Sequence, residues 1–291
     1  MPIDSSVVGQ ELPSSVEDLS VRRVLAYAAG LADTSPAVFD DLAGDLAAPP
    51  PFCVSLEWPV VSHPEIRERL GAAPDELLRG VHASQDSVFH RAMRPGMRLT
   101  TRGTMVGMRQ TRAGTLATTR LDTEAEDGPV VSSWQMTMYR GVELEGGDRE
   151  LESGPALPEP ASSPAPEYSR IRIARELPHV YTECAQIWNP IHTERAVARA
   201  AGLPDIILHG TATWALAGRE IVARHAAGDP TRLRRLRGSF RAMVIPGSEI
   251  EVEHSASDAP GGQTIVSFRV RNAEGEEAVA DGWAVISREG G

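Results

Sequence analysis

Cysteine is scarce in this chain: Cys53 and Cys184 are the two among 291 residues. A chain of this length buries enough apolar surface to fold without a staple, so reduced thiols in a cytoplasm are the expectation. Basic charge is also short, with 29 Lys and Arg against 40 Asp and Glu, a formal net charge of −11. A protein that grips nucleic acid needs a basic face to neutralise phosphates, so this balance argues against that class. No apolar run approaches the roughly 20 residues needed to span a bilayer. The first twenty residues lack the basic flank and apolar core of a signal peptide. No spacing of Cys, His and carboxylates resembles a metal site, and no Gly-rich phosphate loop or nucleotide fingerprint is present. What is present is 41% hydrophobic and 24% charged residues, the composition of a soluble globular protein with one large domain or two ordinary ones.

Residues 141–168 are rich in Pro, Gly, Ser and acid, and read as a linker between residues 1–140 and 169–291. The two flanking parts repeat each other. Tyr27 precedes Pro36, and Tyr181 precedes Pro190, by the same interval. Phe52 and Ile206 follow those prolines at matched distances, Phe89 leads to Pro95-Gly96 as Phe240 leads to Pro246-Gly247, and Trp134 and Trp283 lie on the closing strands. Matched landmarks at matched spacing indicate a duplicated unit. In the second unit, His209 to about Arg224 is apolar nearly all round, which suits a helix enclosed by a sheet. Alternating segments near 233–245, 248–256, 263–272 and 277–287 read as strands, with a hairpin turn at Asn272-Ala273-Glu274-Gly275. The first unit's helix is poor, with Pro49-Pro50-Pro51 at its start and Trp58-Pro59 expected to cut it short.

One stretch carries most of the chemical information: Tyr181-Thr182-Glu183-Cys184-Ala185-Gln186-Ile187-Trp188-Asn189-Pro190-Ile191-His192, followed by Gly202 and by His209-Gly210. It resembles the signature of the MaoC-like, (R)-specific enoyl-thioester hydratases, which runs Tyr, then Ser-Gly-Asp-x-Asn-Pro-Ile-His, then His-Gly opening a long helix. The resemblance implies an α+β double hot-dog, in which antiparallel sheets each wrap a central helix, here with a degenerate N-terminal repeat. It implies a hydratase or dehydratase of 2-enoyl or 3-hydroxyacyl thioesters. The handle would be coenzyme A or an acyl-carrier protein, with no further cofactor, in a homodimer or a heteromer with another hot-dog subunit. In related two-repeat enzymes the decayed repeat makes room for a bulky acyl group, which a shortened first helix would permit.

In the family an Asp and a His hold a water between them, one taking a proton while the other gives one. The Asp lies five residues before the His, and that position here is Ile187. His192 is the candidate acid–base group, or simply a cap for the next helix. Asn189 is a natural turn residue before Pro190 and, by resemblance, also steadies the site. Gly210 either permits close packing or offers its amide to an enolate oxygen, since helix N-termini present unpaired donors. Three replacements for the Asp stand open: Glu183 on the segment approaching the site, Asp33 at the repeat position equivalent to Ile187, or His192 acting alone on a substrate that carries its own acidifying group. The competing readings are a non-catalytic, thioester-binding or structural subunit of a heteromeric hydratase, and a hot-dog enzyme with altered chemistry, for example a thioesterase. Cys184 reads as a buried small hydrophobe. His82 and His90 fall on a predicted strand, in phase with Ser84, Asp86 and Val88. Arg232, Arg234, Arg235, Arg237 and Arg241 form either a solvated face or a site for the phosphates of the thioester handle.

Overall fold

Alternation along the strands decides the sheet. In the strand from Glu249 to Ala259, Ile250, Val252 and His254 are buried while Glu249, Glu251 and Glu253 face outward. One face so patterned must cover a core, and here it covers a helix. The computed structural model describes residues 2–42, 44–71, 79–156 and 164–289. Its strands are β1 (Ile3–Asp4), β2 (Ser15–Asp18), β3 (Gly80–Phe89), β4 (Arg98–Thr111), β5 (Gly114–Ala125), β6 (Gly128–Arg140), β7 (Leu144–Glu145), β8 (Arg149–Glu150), β9 (Glu167–Arg172), β10 (Leu233–Phe240), β11 (Glu249–Ala259), β12 (Gln263–Arg271) and β13 (Glu277–Ile286). The helices are α1 (Val21–Gly30), α2 (Pro36–Phe39), α3 (Cys53–Val61), α4 (Pro64–Leu70), α5 (Leu177–Ala185), α6 (Arg195–Ala200) and α7 (Gly210–His225).

A single sheet runs β2-β4-β5-β6-β3-β10-β13-β12-β11-β9, all antiparallel, with β8 added beside β4. Read outward from the β3–β10 junction, the two halves have the same strand order. This is the double hot-dog that the repeat and the motif imply. The turn between β12 and β13 falls where expected, with Gly275 at φ 80° and Asn272 Oδ1 accepting from the Glu276 N–H at 2.8 Å. Residues 144–150 of the Pro- and acid-rich segment are tied down by pairing of β7 with β1 and of β8 with β4. Residues 157–163 of that segment lie outside the described residues.

Helix α7 sits inside the C-terminal curl, with Trp214, Ala215, Ala217 and Ile221 fully buried. Glycine lets it come close: a Cβ on Gly218 would lie 2.8 Å from Leu236, and one on Gly238 would lie 3.0 Å from the Trp214 ring. In the N-terminal curl, α3 takes the equivalent place. It is the shorter helix, as expected, with 9 residues against 16 in α7; it passes through Pro59, losing one N–H donor, and ends at Val61. Across the centre of the molecule α1 packs on α5, so tightly that a Cβ on Gly30 would meet the Cys184 Cβ at 2.8 Å. The junction is bolted by a buried bidentate pair, Arg235 Nε and Nη2 on Asp86 at 2.8 and 2.7 Å.

Candidate active site

The site is built where α5 ends. Its last turn closes on Gln186, which adopts a left-handed conformation at φ 58° and redirects the chain. Arg23, from the other half, fixes this end by donating to the carbonyls of Cys184 (2.6 Å) and Ala185 (3.2 Å). A guanidinium at a helix C-terminus satisfies carbonyls that have no partner within the helix. Asn189 then caps a single 3-10 turn, Pro190–His192, accepting from the Ile191 N–H at 3.4 Å. That turn delivers His192.

His192 Nδ1 lies 2.8 Å from the Ile207 carbonyl oxygen. A carbonyl only accepts, so Nδ1 carries the proton and Nε2 presents a lone pair. The ring stacks on His209 with centroids 3.6 Å apart and planes at 24°. Burial pulls the His192 pKa down to about 4, against the opposing Ile207 hydrogen bond. Burial, with the His192 ring second, pulls His209 well below its ordinary value, against the nearby Ile187 carbonyl. The two imidazoles are therefore a neutral stacked pair at neutral pH. His209 Nε2 meets Thr182 Oγ1 at 3.3 Å, while Nδ1 is buried without a hydrogen-bond partner. Tyr181 leans on the His209 ring at 5.0 Å, and its hydroxyl lies 3.3 Å from Thr211 Oγ1 and 3.4 Å from the Tyr27 hydroxyl. Immediately after His209, α7 begins at Gly210. A side chain there would be crowded, because its Cβ would stand 3.0 Å from the Phe240 ring, which would have to give way by a few tenths of an ångström.

The structure brings His192, Asn189, His209 and Gly210 into one neighbourhood, and separates others from it. Glu183 is exposed on α5, so it stands in solvent and is not the missing carboxylate. Ile187 is 5% exposed and belongs to the apolar core, with no acid or base in its place. Asp33 belongs to the N-terminal half, its Oδ1 held by the Ser35 N–H at 3.0 Å and hydroxyl at 2.8 Å. The phosphate role considered for the arginines is corrected most clearly at Arg235, which spends its guanidinium on Asp86, Pro155 O and Ala156 O. Arg232 and Arg234 are half-buried on the Ser287 carbonyl and hydroxyl. Sequence reasoning missed Arg23 and the stacking of His209. The only signal for Arg23 was the Arg22-Arg23 pair about one turn before Tyr27, too weak to act on.

Residues 169–278 match the MaoC like domain, and residues 6–133 match the FAS1-like dehydratase domain region. The C-terminal half thus carries a MaoC-like domain and the N-terminal half a FAS1-like dehydratase region. A probable enoyl-CoA hydratase 2 of Dictyostelium discoideum is 26% identical over 158 residues, 54% of this chain and 52% of that protein. A fatty acid synthase beta subunit of Emericella nidulans is 32% identical over 108 residues, 37% of this chain and 6% of the subunit. The chain therefore spans about half the length of one of these relatives and a small part of the other. Among solved structures, a MaoC-like dehydratase from Phytophthora capsici superposes with a TM-score of 0.81 at 21% identity, covering 97% of each chain. The MaoC-like fold thus extends through both halves, including the one without a histidine at the site position. Among the described residues no helix is long and apolar enough to cross a membrane.

Proposed function

We propose that this chain is a hydro-lyase for 2-enoyl and 3-hydroxyacyl thioesters in which His192 is the sole acid–base side chain. The observation that carries the reading is the His192 imidazole, pinned through Nδ1 to Ile207 with Nε2 unprotonated, beside the first amides of α7. In the dehydrating direction Nε2 takes the proton from C2, and the negative charge moves to the thioester oxygen. The Gly210 amide and the positive end of α7 face that oxygen, a preorganised arrangement that needs no movement as charge develops. The imidazolium then hands the same proton to the 3-hydroxyl, which leaves as water as the C2–C3 double bond forms. Hydration is the reverse. One proton carrier serves both steps, so proton removal and water departure occur on the same face of the substrate. Its low pKa makes His192 a weak base but, once charged, a strong acid toward a poor leaving group. The substrate handle is a coenzyme A or carrier-protein thioester. Both cysteines are free, in keeping with a reducing, cytoplasmic setting.

Burial of Ile187 in the core favours a second reading: a thioester-binding subunit that supports an active hot-dog partner. An assay of the purified chain with a short trans-2-enoyl-CoA, following loss of the conjugated thioester, separates the two. Turnover by the chain alone supports the hydro-lyase. A silent chain that gains activity only when co-expressed with a second hot-dog protein supports the subunit.

A further inference from the structure

The structure assigns a short acyl group to this site, because the interior of the N-terminal half, where the resemblance would lay a long chain, is filled by α3 and a buried, hydrogen-bonded polar network. The inference rests on the thioester reading above. From the start of α7 the first obstacle is Phe240, whose ring contacts the Gly210 position. His82 of β3 packs edge-on against Phe240 with centroids 4.9 Å apart, and its Nε2 lies 3.1 Å from the Ser84 carbonyl oxygen. Phe240 from one half and His82 from the other thus form a wall between the α7 N-terminus and the N-terminal interior.

Behind the wall the space is taken. Phe52 to Glu57 of α3 and its leading turn are all buried. The Glu57 carboxyl accepts from Ser133 Oγ and from Gln85 Nε2, the latter at 2.9 Å. Gln85 Nε2 also reaches Ser87 Oγ at 2.9 Å, Ser87 and Ser133 hydroxyls meet at 2.8 Å, and the Cys53 thiol lies 3.6 Å from Ser87 Oγ. Gln85 Oε1, beside the His82 ring, is buried and has no hydrogen-bond partner, so it calls for a donor. An alkyl chain pushed into this region would have to displace α3 or strip partners from a buried carboxyl, an amide and two hydroxyls. Leaving such groups unpaired is strongly unfavourable, and methylenes offer them nothing in return. The first-unit helix, short as it is, fills the room that the resemblance assigns to a bulky acyl group.

Binding tests this without requiring turnover. The intact chain is titrated calorimetrically with butyryl-, octanoyl- and dodecanoyl-CoA, saturated thioesters that undergo no hydration. Affinity is expected to fall by about tenfold or more from the shortest to the longest, the scale on which a closed pocket rejects added methylenes. In Phe240→Ala and His82→Ala the penalty for octanoyl-CoA should shrink, since each removes one side of the wall. Equal or rising affinity with chain length would overturn the inference while leaving the thioester reading intact. An unchanged octanoyl penalty in both folded variants would overturn the wall assignment. Failure to bind any of the three would overturn the thioester reading itself, and the inference with it.

Discussion

The two halves of this molecule share a backbone and divide the chemistry. Each opens with a helix bearing a buried tyrosine, Tyr27 on α1 and Tyr181 on α5, and the two hydroxyls meet at the centre. Five residues on, each chain turns through a left-handed residue that is not glycine, Ala32 at φ 50° and Gln186 at φ 58°. The next position is Asp33 in one half and Ile187 in the other, and five residues later come Val38 and His192. One half therefore keeps a carboxylate without a histidine, and the other a histidine without a carboxylate. The interiors differ in the opposite sense. Around α7 the core is apolar, while under α3 it is a hydrogen-bonded set of Glu57, Gln85, Ser87 and Ser133. Backbone geometry set by helix ends and strand order survives side-chain changes that remove or relocate the chemistry.

The comparison breaks most severely at the junction. Asp86→Ala leaves Arg235 buried and unpaired, and should cost about 3–5 kcal/mol, measured by denaturant unfolding. Pairing it with Arg235→Met should recover most of the loss; no recovery would mean the pair is not what joins β3 to β10. Next, Ile187→Asp makes the C-terminal half resemble both partners at once. Removing a buried Ile side chain should cost about 2–5 kcal/mol, yet the variant should hydrate a short enoyl-CoA faster, because a carboxylate would then share the water with His192. A folded variant with no gain would show that the pocket no longer accommodates the pair. Third, burial raises the Glu57 pKa to about 7. Below pH 4.5 the group is neutral folded and unfolded; between 4.5 and 7 the unfolded chain ionises first, so this group's contribution to stability falls as pH rises through that window. The fall is on the order of 3 kcal/mol, and Glu57→Gln should flatten it. The difference between the wild-type and Glu57→Gln curves is the readout, because the depressed His82, His192 and His209 titrate with the opposite sign in the same window; a difference without that slope would contradict the buried carboxyl. The smallest effect is at the helix end: Arg23→Gln loses three charge-assisted bonds, to the Cys184 and Ala185 carbonyls and to the Glu17 carboxylate, and should cost about 1.5–3 kcal/mol in a thermal melt.

Much of this fold was legible because it is written in short-range pattern. Strand alternation, the apolar run of α7, the Asn272 turn and the paired tyrosines all depend on neighbours in sequence. The candidate site was legible as far as Asn189-Pro190-Ile191-His192 and His209-Gly210, since local turns place those groups. What could not be read depends on contacts between halves. Arg235 finds Asp86, and Arg23 finds the α5 carbonyls, across separations of about 150 residues, so neighbouring residues give no hint of either. Glu57 was similarly hidden: a single acid within an apolar helix becomes a buried network only once β3 and β6 supply Gln85 and Ser133. Glu183 misled for the converse reason, since nearness in sequence to His192 does not turn its side chain inward.

The account stands on one imidazole in the C-terminal half, and His192→Ala tests it directly. With a short trans-2-enoyl-CoA, kcat/KM should fall by about 10²-fold or more, the scale of a lost acid–base group, while the thermal midpoint changes little. In the wild type the acid limb should lie near pH 4, because burial depresses the His192 pKa to about that value and Nε2 remains unprotonated above it. A folded His192→Ala variant that turns over as fast as the wild type would contradict the account, leaving the C-terminal half with the fold of a dehydratase and no demonstrated chemistry.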